Sequence, residues 1–167
     1  LYPDALVAQV LMASTYPLEI VQNDTQVTIL YESFHEVRRI YLDGRNFADD
    51  LANRALGYSR GHWEGSTLVV ETTKLTSGHV DLAGQPLSDN ARVVERMSLS
   101  ADGRELRSEL TLHDPDNYQR PVTRHRAWRK TPETTILEYD CDPYPFFRGL
   151  EIEGTLELYW QRMRQRQ

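Results

Sequence analysis

HWEGSTLVVETT, residues His62–Thr73, is the stretch on which the fold turns. Gly61 and Gly65 flank its opening, and Thr67–Thr73 then crowds valine and threonine together with Glu71 among them. β-Branched side chains suit a pleated, half-buried surface, so this run predicts a strand. The arrangement recurs along the chain: a polar turn, then a short alternating or β-branched run, with a charged residue where a core residue would stand. That pattern predicts one antiparallel barrel or sandwich with a partly polar interior.

Working outward, Leu18–Gln22, Val27–Glu32 and Val37–Leu42 read as strands, punctuated by Asn23-Asp24 and Asp43-Gly44 turns. Arg92–Ser100 and Arg104–Leu112 form the clearest hairpin, through Ala101-Asp102-Gly103, and Val122–Lys130 pairs with Thr135–Cys141. Asp49-Asp50 caps a short helix over Leu51–Leu56 that Gly57 ends. The apolar run Ala5–Ala13 predicts a short helix of about two turns or, as the alternative, an extended arm. Leu156, Tyr159, Trp160 and Met163 recur at helical spacing, which predicts a C-terminal helix from about Thr155. Lys74–Asn90 is long and polar: a lid, a binding loop or a disordered tract. The fold expected is all-β, an antiparallel, about eight-stranded lipocalin-like barrel with short N- and C-terminal helices, in one domain over residues 1–167. Such a barrel encloses room for one small ligand. A curved antiparallel sheet cupping one helix is the alternative.

Composition narrows the function. Hydrophobic residues make up 40% and charged residues 26% of 167, ordinary for one domain with a real core. The net charge of -6 disfavours a general nucleic-acid binder, and no run reaches the roughly 18 apolar residues of a membrane helix. Cys141 is the single cysteine, so the redox compartment is left open. No phosphate loop, dinucleotide fingerprint or GxSxG elbow is present, and no cofactor is expected. The histidines at 35, 62, 79, 113 and 125 lack zinc-ligand spacing, so no metal is expected either.

Phe34–Arg45 (FHEVRRIYLDGR), Gly61–Thr73 (GHWEGSTLVVETT) and Asp114–Tyr118 (DPDNY) give a resemblance running from about Tyr16 to Asp142. The chain resembles a family of largely uncharacterised, often exported bacterial proteins that carry a GxWEGxTLVVETT motif. In that family a His-Pro pair usually follows the DGR stretch; here Asn46 and Phe47 stand there. The resemblance implies a periplasmic or secreted location and supplies no catalytic residue.

Glu32, His35, Glu36, Arg38 and Arg39 are the densest group of ionisable side chains. Imidazole moves protons near neutral pH, so His35 is the expected acid/base and Glu32 the carboxylate that fixes its tautomer. Arg39 shares parity with Val37 and Tyr41 and is the arginine expected to face inward and stabilise an oxyanion. Glu71 is the second candidate partner. The alternative is a cross-strand salt-bridge ladder with His35 in a turn. Ligand contacts are expected from Tyr31, Tyr41, Trp128 and Tyr139 with Glu95 and Arg126, an aromatic wall with polar groups for an apolar molecule bearing one anionic or carbonyl group. Asp114-Pro115-Asp116 is read as turn chemistry rather than a calcium loop.

These residues predict a cofactor-independent acid/base enzyme, an isomerase, lyase or cyclase, acting on a small, largely apolar organic substrate in a barrel cavity. The alternatives are a carrier or sensor for a small hydrophobic ligand, and a structural or protein-interaction module. No nucleic-acid partner and no membrane span are expected, and a homodimer is left open.

Overall fold

Alternation writes the sheet. In β2 (Gln26–Tyr31) Val27, Ile29 and Tyr31 are buried and the residues between them are not. In β8 (Arg92–Leu99) Val93, Glu95 and Met97 are buried; in β9 (Glu105–His113) Ser108, Leu110 and Leu112 are. This period of two is what a sheet with one covered face requires. The computed structural model describes residues 16–81, 84–138 and 144–165. The chain divides into two compact units, one ending at Glu138 and one running from residue 139.

The first unit is an eight-stranded sheet curled into a half-barrel. Its strands in spatial order are β1 (Leu18–Gln22), β2, β3 (Val37–Tyr41), β4 (Tyr58–Glu64), β5 (Thr67–Thr73), β8, β9 and β10 (Val122–Arg129). The order is open: β1 and β10 are its two ends, so the expected closed barrel is not formed. Every pairing is antiparallel except β3 with β4, which runs parallel through Ile40 opposite Ser59. The segment after β10 reaches back to the residue after β2: the Leu137 backbone N–H donates to Glu32 Oε2 at 2.9 Å.

Three expected elements differ. β4 is not among the expected strands: Arg60, His62, Trp63 and Glu64 are exposed and only Ser59 is buried, so no buried apolar residue marks the stretch. No helix forms over 51–56. Arg54 instead bridges in parallel to Leu75, and Gly57 turns the chain at φ +57°. Residues 134–138 form no strand, and residues 139–141 of that expectation lie outside the described residues. The helix expected over Ala5–Ala13 lies outside them too.

The polar stretch from Lys74 to Asn90 holds a two-stranded ladder, β6 (Gly78–His79) with β7 (Pro86–Leu87). Leu75, Val80 and Leu87 from this stretch are buried with Ala91, Val93, Leu110 and Leu112 in one hydrophobic cluster. It is part of the core. Asp114 secures it by accepting from the Ser88 hydroxyl at 2.6 Å and the Ser88 N–H at 2.9 Å, which agrees with a turn role for the DPDNY stretch. A second cluster joins Val27, Ile29, Tyr31, Ile40, Leu68, Val70 and Met97.

The second unit is a helical hairpin, α1 (Tyr144–Ile152) and α2 (Leu156–Arg164). α2 stands where the spacing of Leu156, Tyr159, Trp160 and Met163 predicts it. α1 is an addition. Pro145 stands at its second residue, and a proline is tolerated in a first turn, where no intrahelical N–H bond is lost. Phe147 stacks on Trp160 with centroids 5.6 Å apart, and Phe146 meets Tyr159 edge-on at 5.5 Å. Neither helix is long and apolar enough to cross a membrane.

Candidate functional site

The inner face of the half-barrel carries a polar row between its two hydrophobic clusters. Arg38 on β3 is the centre. Its Nε donates to Ser59 Oγ on β4 at 3.1 Å, its Nη2 to Thr72 Oγ1 on β5 at 3.0 Å, and its Nη1 to Glu95 Oε2 on β8 at 2.7 Å. Ser108 on β9 donates to the other Glu95 oxygen at 2.6 Å. Arg38 and Glu95 are each 2% exposed. Buried charge is tolerated only when paired and hydrogen-bonded, and this row meets both conditions.

Two further groups extend the row. Tyr31 lies within hydrogen-bonding reach of Arg38, and burial pushes its phenol up, so it stays protonated at neutral pH. Arg126 on β10 is half-buried on the same face. Burial pulls its guanidinium down, while Glu95 and Tyr31 act to raise it. Burial also works against charge on Arg38, but Glu95 and Tyr31 outweigh it and the net direction is upward.

Glu36 stands at the rim of this face. The β2–β3 register puts Leu30 opposite Val37, so the next step sets Tyr31 against Glu36, and the Tyr31 N–H donates to the Glu36 carbonyl at 2.9 Å. Glu36 shares the parity of Arg38 and Ile40, both buried. Its Oε2 is buried with no hydrogen-bond partner among the described residues. Desolvation pushes its carboxyl up to about 7. The turn that delivers it is unusual. Phe34 and His35, neither a glycine, sit at φ +58° and +51°, in the left-handed region that costs about 1 kcal/mol or more per side-chain-bearing residue. Such backbone clusters at functional sites.

The residues expected to carry chemistry do not converge. His35 is exposed in a 3-10 turn. The Glu32 carboxylate accepts the Leu137 N–H. Arg39 is exposed, and the inward arginine is Arg38. Parity with Val37 and Tyr41 does not mark the inner face, because Val37 is exposed and Ile40 lies in the core. Glu71 faces outward, held by Arg60 Nη2 at 2.6 Å and Arg92 Nη1 at 3.1 Å, and the Arg60 bond leads in pulling its carboxyl down. Outward parity and two arginines leave it in a surface ladder.

Among the expected ligand contacts, Tyr31, Glu95, Arg126 and Trp128 share the inner face, the last two half-buried on β10. Tyr41 lies on the outer face, where the Arg45 guanidinium sits 3.9 Å over its ring and Phe47 meets it edge-on. Tyr139 lies outside the described residues. Glu36 belongs to the dense ionisable group, yet only its register opposite Tyr31 and parity with Ile40 single it out. Among the described residues no group of three or more His, Cys, Asp or Glu side chains is placed to hold a metal ion.

A family model described as "Protein of unknown function (DUF3300)" matches residues 1–32, which include β1 and β2. The three stretches that carry the sequence resemblance, beginning at Phe34, Gly61 and Asp114, all lie beyond that segment. No curated protein and no solved structure matches the chain.

Proposed function

We propose that the protein is a cofactor-independent acid/base enzyme whose proton-transferring group is Glu36, acting on a small, largely apolar organic molecule with an enolisable carbonyl. The observation that supports this is the buried Glu36 carboxyl oxygen, unpartnered among the described residues, on a residue whose backbone pairs with that of Tyr31 at the rim of the inner face. A carboxyl poised near neutrality exchanges its proton efficiently at physiological pH. In this reading Tyr31 donates a hydrogen bond to developing negative charge, and Arg126 adds positive potential from β10. The row of Arg38, Ser59, Thr72, Glu95 and Ser108 serves as rigid support.

A second reading, a non-catalytic carrier or sensor of a small hydrophobic ligand, draws on the same row. Each nitrogen of Arg38 and both oxygens of Glu95 are spent on protein partners, which favours a fixed wall over a reacting one.

Solvent-deuterium incorporation into a panel of apolar enolisable ketones separates the two. The enzyme reading expects exchange at pH 7 that falls about 100-fold or more in Glu36→Gln, the typical contribution of a general acid or base. Saturable binding without exchange supports the carrier. Equal exchange by the wild type and Glu36→Gln rejects Glu36 as the acid/base.

A further inference from the structure

The β8–β9 turn and the end of β10 bring four basic side chains together. The Lys130 N–H donates to the Arg104 carbonyl at 2.8 Å, which sets these two cations side by side across the strands. Arg129 stands opposite Glu105 in the ladder, and Arg107 follows on β9. Two acidic side chains lie among them and both are engaged. Glu105 accepts from Arg107 Nε at 2.6 Å. Asp102 accepts from the Ser100 hydroxyl at 2.6 Å and the Arg104 N–H at 3.1 Å. Arg104, Arg129 and Lys130 are exposed, and none takes part in an ion pair among the described residues. These residues, with Pro132, line a groove of about 600 Å³.

This concentration runs against the chain's composition, which carries a net charge of -6. Like charges placed directly opposite one another across strands destabilise a sheet. Arg104 beside Lys130 is such a pair, and a bound anion would turn that repulsion into attraction. Guanidinium forks match the oxygens of phosphate or sulfate, and an ammonium adds a mobile point charge. The groove's volume lies in the range of small-molecule sites. A nucleic-acid backbone needs a long basic track, whereas here the adjoining outer face carries Glu64 and Glu109 among its arginines.

We propose that this groove binds the phosphate or sulfate ester end of a small soluble molecule, with Arg104, Arg129 and Lys130 as its ligands. The site lies at the β8–β9 turn and the end of β10 and uses none of the residues assigned to the Glu36 chemistry, so either assignment can fail alone.

The test is a titration of the isotope-labelled full chain with inorganic pyrophosphate, followed by amide NMR shifts at matched ionic strength. Sodium chloride serves as the screening control, and phosphatidylglycerol vesicles as the lipid arm. The site predicts saturable shifts confined to residues 100–107 and 129–132. It also predicts an affinity loss of about tenfold or more in Arg104→Gln/Lys130→Gln, in line with losing charge-assisted bonds. Arg129→Gln alone, which leaves the crowded pair intact, weakens binding to a smaller extent. Shifts reproduced by sodium chloride, an affinity unchanged in the double variant, or binding to anionic vesicles without binding to pyrophosphate each overturn the proposal.

Discussion

Arg38 and Glu95 meet at 2.7 Å although 57 residues separate them in the chain, and both are almost fully shielded from water. Removing one partner of such a pair strands the other charge in a low-dielectric interior. Glu95→Ala is therefore expected to cost about 3–5 kcal/mol in urea unfolding. Replacing both together, Arg38→Met with Glu95→Leu, is expected to cost far less than the single changes Arg38→Met and Glu95→Leu summed. Additive single and double variants would show that the pair is not coupled.

Glu71 gives the opposite expectation. It bridges Arg60 and Arg92 on the outer face with its side chain 28% exposed. Glu71→Ala is expected to cost about 1 kcal/mol or less, a figure that shrinks as salt is raised. Ketone exchange should be unchanged in this variant. A large loss of either stability or turnover would place Glu71 in the working site after all.

Gly57 and Gly44 separate backbone conformation from packing. Both are left-handed, at φ +57° and +71°. A Cβ at Gly57 would lie 2.5 Å from the Thr73 carbonyl oxygen, whereas one at Gly44 would meet nothing within 4 Å. Gly44→Ala is expected to cost about 1–2 kcal/mol from φ alone, and Gly57→Ala measurably more because the β5 backbone must shift. Equal losses in thermal or urea unfolding would contradict the tight approach at Gly57.

Residue patterns made much of the sheet readable. β2, β5, β8, β9 and β10 announce themselves by alternation or by β-branched density, and Ile29, Leu110 and Leu112 fall on the buried face as alternation requires. What parity does not reveal is register and order across the sheet. Arg38 and Arg39 are adjacent, and choosing between them needed Ile40, not Val37, as the core marker. β4 hid because Arg60, His62, Trp63 and Glu64 are all exposed and its one buried residue is a serine whose hydroxyl lies 2.8 Å from Thr72 Oγ1. Glu36 hid because its surroundings come from a turn with two left-handed residues, a conformation the local sequence of Phe34 and His35 does not favour.

The raised Glu36 carboxyl has a direct consequence for stability. Burial pushes it up to about 7, from the ordinary 4.5 of a glutamate. The folded state therefore holds this proton more tightly than the unfolded chain does. The resulting stabilisation is complete below about pH 4.5 and is lost as pH rises through 7. Because the side chain keeps contact with solvent, the loss across this window is about 1–2 kcal/mol after discounting for screening. Glu36→Gln should abolish this component, visible as a flatter difference between urea midpoints at pH 5 and pH 7.5. An unchanged pH dependence in the variant would assign the effect to another group.

The most direct measurement is a carboxyl carbon NMR titration of Glu36 in the full chain, assigned with the Glu36→Gln variant. The account predicts a midpoint near 7, well separated from the exposed glutamates. A midpoint at the ordinary glutamate value, close to 4.5, would contradict it.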